Sequence, residues 1–416
     1  MLKAVVFNLG CKVNQYECDV LVSELENRGY HTSQELEYAD LYVINTCAVT
    51  NEAERKSRQI ISRIKKFNPN AKIIITGCAS QKNKEFYLNK EVLYVSGVGG
   101  KQRIFEEIDK QLAEGKFDLP LSYEEPLAFP KPERTRSYVK IQDGCNNFCS
   151  YCIIPYLRGR SRSRKIDSCV KEIETLSKKT KEIVITGVNL AQYGVDNNES
   201  LAKLIDRLSN IDVRIRLGSF YVEGITDELL IALKGLKKFC PHFHLSLQHG
   251  DESVLKSMNR RYGPAEYKEK VDLIRKYFPL AAITTDIIVG FPTESEEAFE
   301  NTLKFVEEVR FSDVHIFPFS PRPGTKAYSL PVISANVIEE RKERLRILKE
   351  KLNKEYLILM LNSYQDVIFE TYVDGYSVGY SQYYVRIYSK TNKNNAVVKP
   401  TSLYKDGIIG EIKDDE

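Results

Sequence analysis

Three apolar, β-branched runs in the first hundred residues each end two positions before a cysteine. Ala4–Leu9 precedes Cys11, Leu41–Asn45 precedes Cys47 and Lys72–Thr76 precedes Cys78. Helical patterns such as Val20–Asn27 and Asn51–Lys66 lie between them, and a further short strand follows in "EVLYVSGVG". Buried strands alternating with helices predict a parallel, doubly wound sheet of flavodoxin type. Parallel strands put their carboxyl ends on one edge, so the three thiols converge on one crevice. One cysteine after a strand reads as a small buried side chain. Three at one register can assemble a three-cysteine metal site. Cys18, seven residues after Cys11, reads as packing on the first helix.

The chain has 416 residues and 42% apolar content, room for two or three domains. It holds no run of 18 apolar residues, so no transmembrane helix is expected. No signal-peptide pattern opens it, and a cytoplasmic protein with no membrane partner is the expectation. Nine cysteines in such a chain point to metal ligands or buried side chains rather than disulfides. A net charge of +4 is too mild to argue for a nucleic-acid partner unless the basic residues cluster.

Residues 116–134 carry Pro120, Pro126, Pro130 and Pro132 and read as a linker. Strand and helix then alternate again. Candidate strands are Ser137–Asp143, Glu182–Val188, Val213–Ser219, His242–Gln248, Ile283–Gly290 and Val314–Ser320. Six β/α units are too few to close an eight-stranded barrel. They predict a partial, open (β/α)6 barrel with its site at the carboxyl ends of the strands. A charged helix over Val337–Leu361 follows. From Asn362 onward, short alternating runs predict a small all-β barrel. The expected domains are 1–115, 135–355 and 358–416, with the linker between the first two.

Directly after the first barrel strand stands "GCNNFCSYC", in which Cys145, Cys149 and Cys152 have CxxxCxxC spacing. Three thiolates on one loop can wrap a [4Fe–4S] cluster and leave its fourth iron open for a small ligand. A zinc site needs a fourth ligand. No histidine lies within fifty residues, and Cys169 is the one cysteine near enough in sequence to supply it.

CxxxCxxC after the first strand of a partial barrel resembles the radical S-adenosylmethionine enzymes. "GCKVNQYE", "NTCAVTNEAERKSRQ" and "TGCASQ" resemble the N-terminal domain of the methylthiotransferases within that group. "GCNNFCSYCIIPYLRGRSRSR", "ITGVNLAQYG", "HLSLQHGDESVLKSMNRRY", "DIIVGFPTESEEAF" and "FPFSPRPGTKAY" resemble the domains that follow, and the C-terminal segment resembles the family's RNA-binding TRAM domain. The resemblance implies a radical cluster on Cys145, Cys149 and Cys152, with S-adenosylmethionine at its open iron. It implies an auxiliary [4Fe–4S] cluster on Cys11, Cys47 and Cys78 that holds sulfur. Tyr151 falls where the family has an aromatic against the adenine, although covering the cluster from solvent suits it equally. Thr186, Gly187 and Asn189 match the segment that meets the methionine amino group. Gly290 reads either as an opening for adenine or as a turn glycine.

Inserting a thiomethyl group at an unactivated aromatic C–H has no acid–base route, so the family's radical is needed. One S-adenosylmethionine supplies that radical and a second supplies the methyl group. "GCKVNQYE" resembles the branch acting at adenine C2 of N6-threonylcarbamoyladenosine, position 37 of tRNA, in the anticodon stem-loop. Sister branches act on isopentenylated adenosine or on a ribosomal-protein aspartate. An electron donor such as a flavodoxin or ferredoxin, and a sulfur source, are the further partners implied. A non-catalytic iron–sulfur or RNA-binding protein leaves CxxxCxxC and its barrel unexplained.

Three positions depart from the family pattern. Tyr221 and Val222 stand where glutamate and proline are usual, with Glu223 beyond them. His249 replaces a serine and reads as a solvent-facing residue at a helix start. Support for RNA binding is uneven. Arg158, Arg160, Arg162, Arg164 and Lys165 offer phosphate contacts beside the barrel mouth. The C-terminal segment from Leu357 carries six Lys or Arg against eight Asp or Glu, and eight tyrosines expected mainly to pack its core. The closing "KDDE" reads as an acidic tail.

Overall fold

The computed structural model describes residues 2–131 and 135–413. Strands β1 (Leu2–Asn8), β2 (Tyr30–Ser33), β3 (Leu41–Thr46), β4 (Lys72–Gly77) and β5 (Tyr94–Val95) form one parallel sheet in the order β2-β1-β3-β4-β5. That is the flavodoxin-like order. Every residue of β3 is buried, as a central parallel strand covered on both faces must be. Helices α1 (Lys12–Asn27), α2 (Asn51–Phe67) and α3 (Cys78–Lys82) follow β1, β3 and β4 directly. Strand β2 was not expected. Its sequence "YHTS" is short and polar, and an edge strand needs no apolar run to hold its single neighbour.

The second body opens with β6 (Arg136–Lys140). Glu182–Thr186 and Arg214–Leu217 join β6 in a three-stranded parallel sheet. Ser219–Phe220, His242–Leu245, Ala282–Val289 and Asp313–Pro318 form a four-stranded one. Gly218 divides one strand position between the two sheets, so there are six positions, in the expected open arrangement. Side chains alternate along each strand. Ile183, Ile185, Ile215, Phe243 and Leu245 face the helices and build the largest apolar core. Their neighbours Glu182, Arg216, His242, His244 and Asp286 take the other face, and the interior is strongly polar.

The long helix Ala335–Met360 leads into a closed barrel of strands Gln365–Val373, Tyr376–Ser381, Arg386–Ser389, Asn395–Tyr404 and Gly407–Ile412. Its core is aliphatic, with Val367, Ile387, Val398 and Ile408 at its centre. The tyrosines do not fill it, contrary to expectation. Tyr388 alone of the eight is buried, and Tyr372 is 71% exposed. A small barrel is filled by branched aliphatics, whereas each phenol needs a polar partner.

Residues 116–131 of the expected linker form no helix or strand, yet they are strapped down. The Tyr123 hydroxyl donates to Lys140 O (2.6 Å), Gln81 Nε2 donates to Phe117 O (2.6 Å) and Glu125 pairs with Arg164 (2.7 Å). The rest of that linker, and the acidic residues of the expected tail, lie outside the described residues. Among the described residues no helix is long and apolar enough to cross a membrane.

Candidate active site

Cys11 is the N-cap of α1, Cys47 follows β3 and Cys78 opens α3. Gly77 makes the last turn possible. Its φ is +109°, and a Cβ there would lie 2.5 Å from Thr46 O. Only glycine lets β4 turn into α3 against β3 and bring Cys78 beside Cys47. Burial, reinforced by Cys78 and Cys11 nearby, pushes the Cys47 thiol up to about 12. Burial also raises Cys78, with Arg158 opposing it and Cys11 adding to it. The three thiols thus lie within electrostatic reach of one another, and all nine cysteines are free.

A buried ionic network ties this crevice to the barrel. Glu17 accepts from Lys101 (2.7 Å), Arg158 (3.0 Å) and Lys140 (3.1 Å). Arg158 and Lys140 also reach Asp143, each at 3.0 Å, and Arg158 Nη2 donates to Asn14 Oδ1 (3.0 Å). Burial pushes the Glu17 carboxyl up, but Arg158, Lys101 and Lys140 outweigh it and hold the group well below the usual range. Arg322 makes a second clamp. Fully buried, it donates to Ala48 O and Asn51 Oδ1 and pairs with Glu54 at 2.8 Å, fixing the segment just after Cys47.

The basic run is therefore mostly not an RNA surface. Arg158, Arg162 and Arg164 are buried, and only Arg160 and Lys165 are exposed. Arg164 pairs with Glu125 and Glu172, and Arg162 lies 3.8 Å from Asp143. Of the counter-ions, Glu17 and Glu125 come from distant parts of the chain, whereas Asp143 and Glu172 flank the run.

Cys145, Cys149 and Cys152 lie on a loop fixed at both ends. Gly144 has φ +73°, and a Cβ there would lie 2.0 Å from Arg160 O. Phe148 adopts φ 47°, an uncommon value for a non-glycine residue. Asn259 Nδ2 holds the Phe148 carbonyl (3.0 Å), Ser150 N donates to Met258 O (2.9 Å) and Asn146 N donates to Gln192 Oε1 (2.9 Å). Donors are aimed at sulfur. Asn147 N and Asn189 Nδ2 reach Cys145 Sγ at 3.5 and 3.8 Å, and Arg260 Nη1 reaches Cys149 Sγ at 3.4 Å. Burial, then Cys149 and Cys145, acts on Cys152 to push it up to about 12. Cys169 does not complete this set. It is buried in the barrel core, and the charges acting on it are Arg164, Glu172 and Glu125. Cys18 is likewise a core residue.

Arg260 was not singled out from the sequence, and Tyr221 was noted only as standing where glutamate is usual. Arg260 lies over the Tyr221 ring at 4.3 Å, and the three thiols act on Tyr221. The signal was present in "MNRRY", whose Asn259 and Arg260 both grip the cysteine loop. His249 is a correction. It is fully buried, with Nε2 3.2 Å from Glu294 Oε2 and Nδ1 accepting from Asp251 N (3.1 Å). Residues Thr302 and Glu294, far along the chain, enclose it.

Of the other expected contact residues, Asn189 reaches Cys145 Sγ. Its N–H donates to Gln142 Oε1 (2.8 Å), and its Oδ1 is a buried acceptor without a hydrogen-bond partner. Thr186 and Gly187 line a cavity of ≈ 760 Å³. Tyr151 packs edge-on to Phe291, centroids 6.4 Å apart. Gly290 has φ +79°, and its N–H donates to Glu294. A Cβ there would lie 2.5 Å from Ile338 Cγ1. Protein, not open space, faces it, so the turn and the long helix account for this glycine.

All three bodies reach the cavity: Cys11, Lys12 and Cys78 from the first, Thr186 and His244 from the barrel, and Tyr384 from the C-terminal domain.

Residues 139–306 match the Radical SAM superfamily model, and residues 3–98 match the model described as Uncharacterized protein family UPF0004. In fold the chain is similar to the radical S-adenosylmethionine methyltransferase TsrM from Kitasatospora setae. The TM-score is 0.60 at 14% identity, covering 78% of this chain and 74% of that one. The chain is thus a radical S-adenosylmethionine enzyme. A Thermotoga maritima relative named threonylcarbamoyladenosine tRNA methylthiotransferase MtaB is 41% identical, covering 96% of this chain and 94% of the relative. A Bacillus subtilis protein of the same name is 36% identical over 100% of this chain and 98% of its own. A Thermoanaerobacter protein named tRNA-2-methylthio-N(6)-dimethylallyladenosine synthase is 38% identical over 83% and 77%. The chain belongs to the radical S-adenosylmethionine methylthiotransferase family.

Proposed function

We propose that this enzyme transfers a methylthio group to adenine C2 of N6-threonylcarbamoyladenosine at position 37 of tRNA. The reading is carried by the two separate cysteine triads, one on the barrel loop and one at the edge of the first sheet. The names of the Thermotoga and Bacillus relatives support the substrate. Cys145, Cys149 and Cys152 would hold the radical cluster, and Cys11, Cys47 and Cys78 the auxiliary one. The donor sets fit: three free thiols each, and N–H groups aimed at sulfur in the barrel loop. Bound there, the clusters and two S-adenosylmethionine molecules would supply radical and methyl-transfer chemistry.

The chain's own residues orient these groups. Asn189 presents its unpartnered Oδ1 beside Cys145, an acceptor suited to the methionine ammonium. Thr186 and Gly187 shape the adjoining wall, and Tyr151 covers the loop on the Phe291 side. Residues 1–115 act as the auxiliary-cluster domain, 135–355 as the radical domain and 358–416 as an RNA-binding domain, with exposed Tyr372 available to stack on a base. A flavodoxin or ferredoxin would deliver electrons, and a separate sulfur source would reload the auxiliary site.

The second reading, methylthiolation of isopentenylated adenosine, is favoured by the name of the Thermoanaerobacter relative. Mass spectrometry of nucleosides decides between them after incubation with tRNA of each kind and, separately, with the ribosomal protein. Product on the threonylcarbamoylated tRNA alone is expected. Product only on isopentenylated tRNA, or only on the protein, overturns the assignment.

A further inference from the structure

The barrel interior carries more positive charge than its own carboxylates answer. Arg136, Arg214 and Arg216 all turn to Glu182, at 2.8, 3.0 and 2.8 Å. Glu370 meets Arg136 from the C-terminal barrel. Three guanidiniums thus share two carboxylates. Glu182 stays ionised, because Arg216, Arg214 and Arg136 outweigh its burial and hold it at about 2.

Lys12 adds a further cation. It leaves the first turn of α1, is open to the cavity, and makes no hydrogen bond or ion pair among the described residues. Burial at the cavity wall lowers its pKa, Arg216 and Arg136 adding to that while Asp286 and Cys11 oppose it, so a bound anion would favour its charged form. Asp286 is already engaged, with His244 Nε2 and His315 Nδ1 each 3.2 Å from one of its oxygens. The other cavity carboxylates are also answered: Asp313 by Lys349 (3.0 Å) and Asp406 by Arg386 (2.6 Å).

Donors remain free as well as charge. Arg216 spends its own on Glu182, Ser381 O and Gln382 O. Lys12 has all three ammonium hydrogens available, and Arg136 Nη2 is a buried donor without a hydrogen-bond partner. A mobile ammonium beside a fixed guanidinium suits an anion small enough to enter the barrel. A backbone phosphate stays with its chain at the surface, whereas the arm of a base inserted into the cavity can reach inside.

We infer that Lys12, with Arg136 and Arg216 lining the same cavity, binds the carboxylate at the end of the substrate's N6 substituent, an inference that rests on the substrate reading above. The subsite makes this chain specific for an anionic arm over an apolar one.

The test measures affinity of the full-length, cluster-loaded enzyme for two anticodon stem-loops, one with threonylcarbamoyladenosine and one with plain adenosine at the modified position. Wild type should prefer the first by about 10- to 100-fold, the range for a hydrogen bond to a charged group. Lys12→Met should erase most of that preference while leaving the plain stem-loop and S-adenosylmethionine bound as before. Lys12→Arg should restore most of it. Equal weakening on both RNAs would identify a phosphate contact and overturn the proposal. Loss of S-adenosylmethionine binding would assign the carboxylate to the cofactor and overturn it, as would an unchanged preference. If wild type modifies only the isopentenylated RNA, the substrate reading falls and takes this subsite with it.

Discussion

The two cysteine triads share a donor set and are built in opposite ways. Cys145, Cys149 and Cys152 sit on eight consecutive residues, and their loop is held mainly by neutral hydrogen bonds, donated by Asn259 and accepted by Gln192 Oε1 and Met258 O. Cys11, Cys47 and Cys78 come from three strand ends and meet only when the parallel sheet has formed. Their surroundings are ionic: Glu17, Asp143, Arg158 and Lys140 lock the crevice to the barrel, and Arg322 clamps the segment after Cys47. A contiguous loop specifies its site locally. A site assembled by topology depends on long-range docking, and losing one buried ion is costly there because its partners stay behind uncompensated.

The largest expected effect follows from that difference. Arg158→Met removes one of the two cations that Glu17 and Asp143 share, leaving Lys140 to answer both, and should cost about 3 kcal/mol of stability or docking. Iron bound at Cys11, Cys47 and Cys78 should be lost before iron on the barrel loop, read by iron analysis and electron paramagnetic resonance of the reduced protein. Next comes Arg322→Leu, which frees Glu54, Asn51 and the Ala48 carbonyl. Removing these charge-assisted bonds should cost about 2–3 kcal/mol and selectively lower auxiliary-site iron on mild heating. Equal loss from both triads in either variant would erase the contrast.

Acid sharpens the same comparison in the cluster-free protein. Glu17 has a folded-state pKa held well below its ordinary 4.5. Its contribution is therefore complete above that value and is lost as pH falls through the lower, folded value. Hydrogen exchange should rise around residues 11–17 on acidification below about pH 4, while residues 145–152 change less. The smallest effect concerns tuning. Arg260→Met removes a cation from Cys149 Sγ and should make the barrel cluster harder to reduce, by on the order of tens of millivolts, without moving the other. A shift of both potentials would show that Arg260 acts through the fold.

What was legible in the sequence follows the same division. CxxxCxxC could be read at sight because its spacing is local. The grouping of Cys11, Cys47 and Cys78 at one sheet edge was readable because strand-end register repeats. Its supports were not. Asn14 and Glu17 looked like polar helix residues, yet both are buried, since their partners Arg158 and Lys140 lie more than a hundred positions away. The arginine run was misread partly for that reason, and His249 because Glu294 and Thr302 enclose it. The edge strand β2 lacked an apolar run because one neighbour suffices for it. The barrel's charged interior was hidden because inward residues such as Glu182 and Arg216 alternate with apolar ones on strands that read as β-branched runs.

Two independent triads should hold two clusters, one each. Anaerobic reconstitution followed by iron analysis tests this most directly, on wild type and on two triple variants. Wild type should bind about eight irons per chain, as two clusters of four. Changing Cys145, Cys149 and Cys152 to Ala should leave about four, and so should changing Cys11, Cys47 and Cys78 to Ala. Four or fewer irons in wild type, bound zinc in their place, or a triple variant that keeps the full wild-type complement would contradict the account.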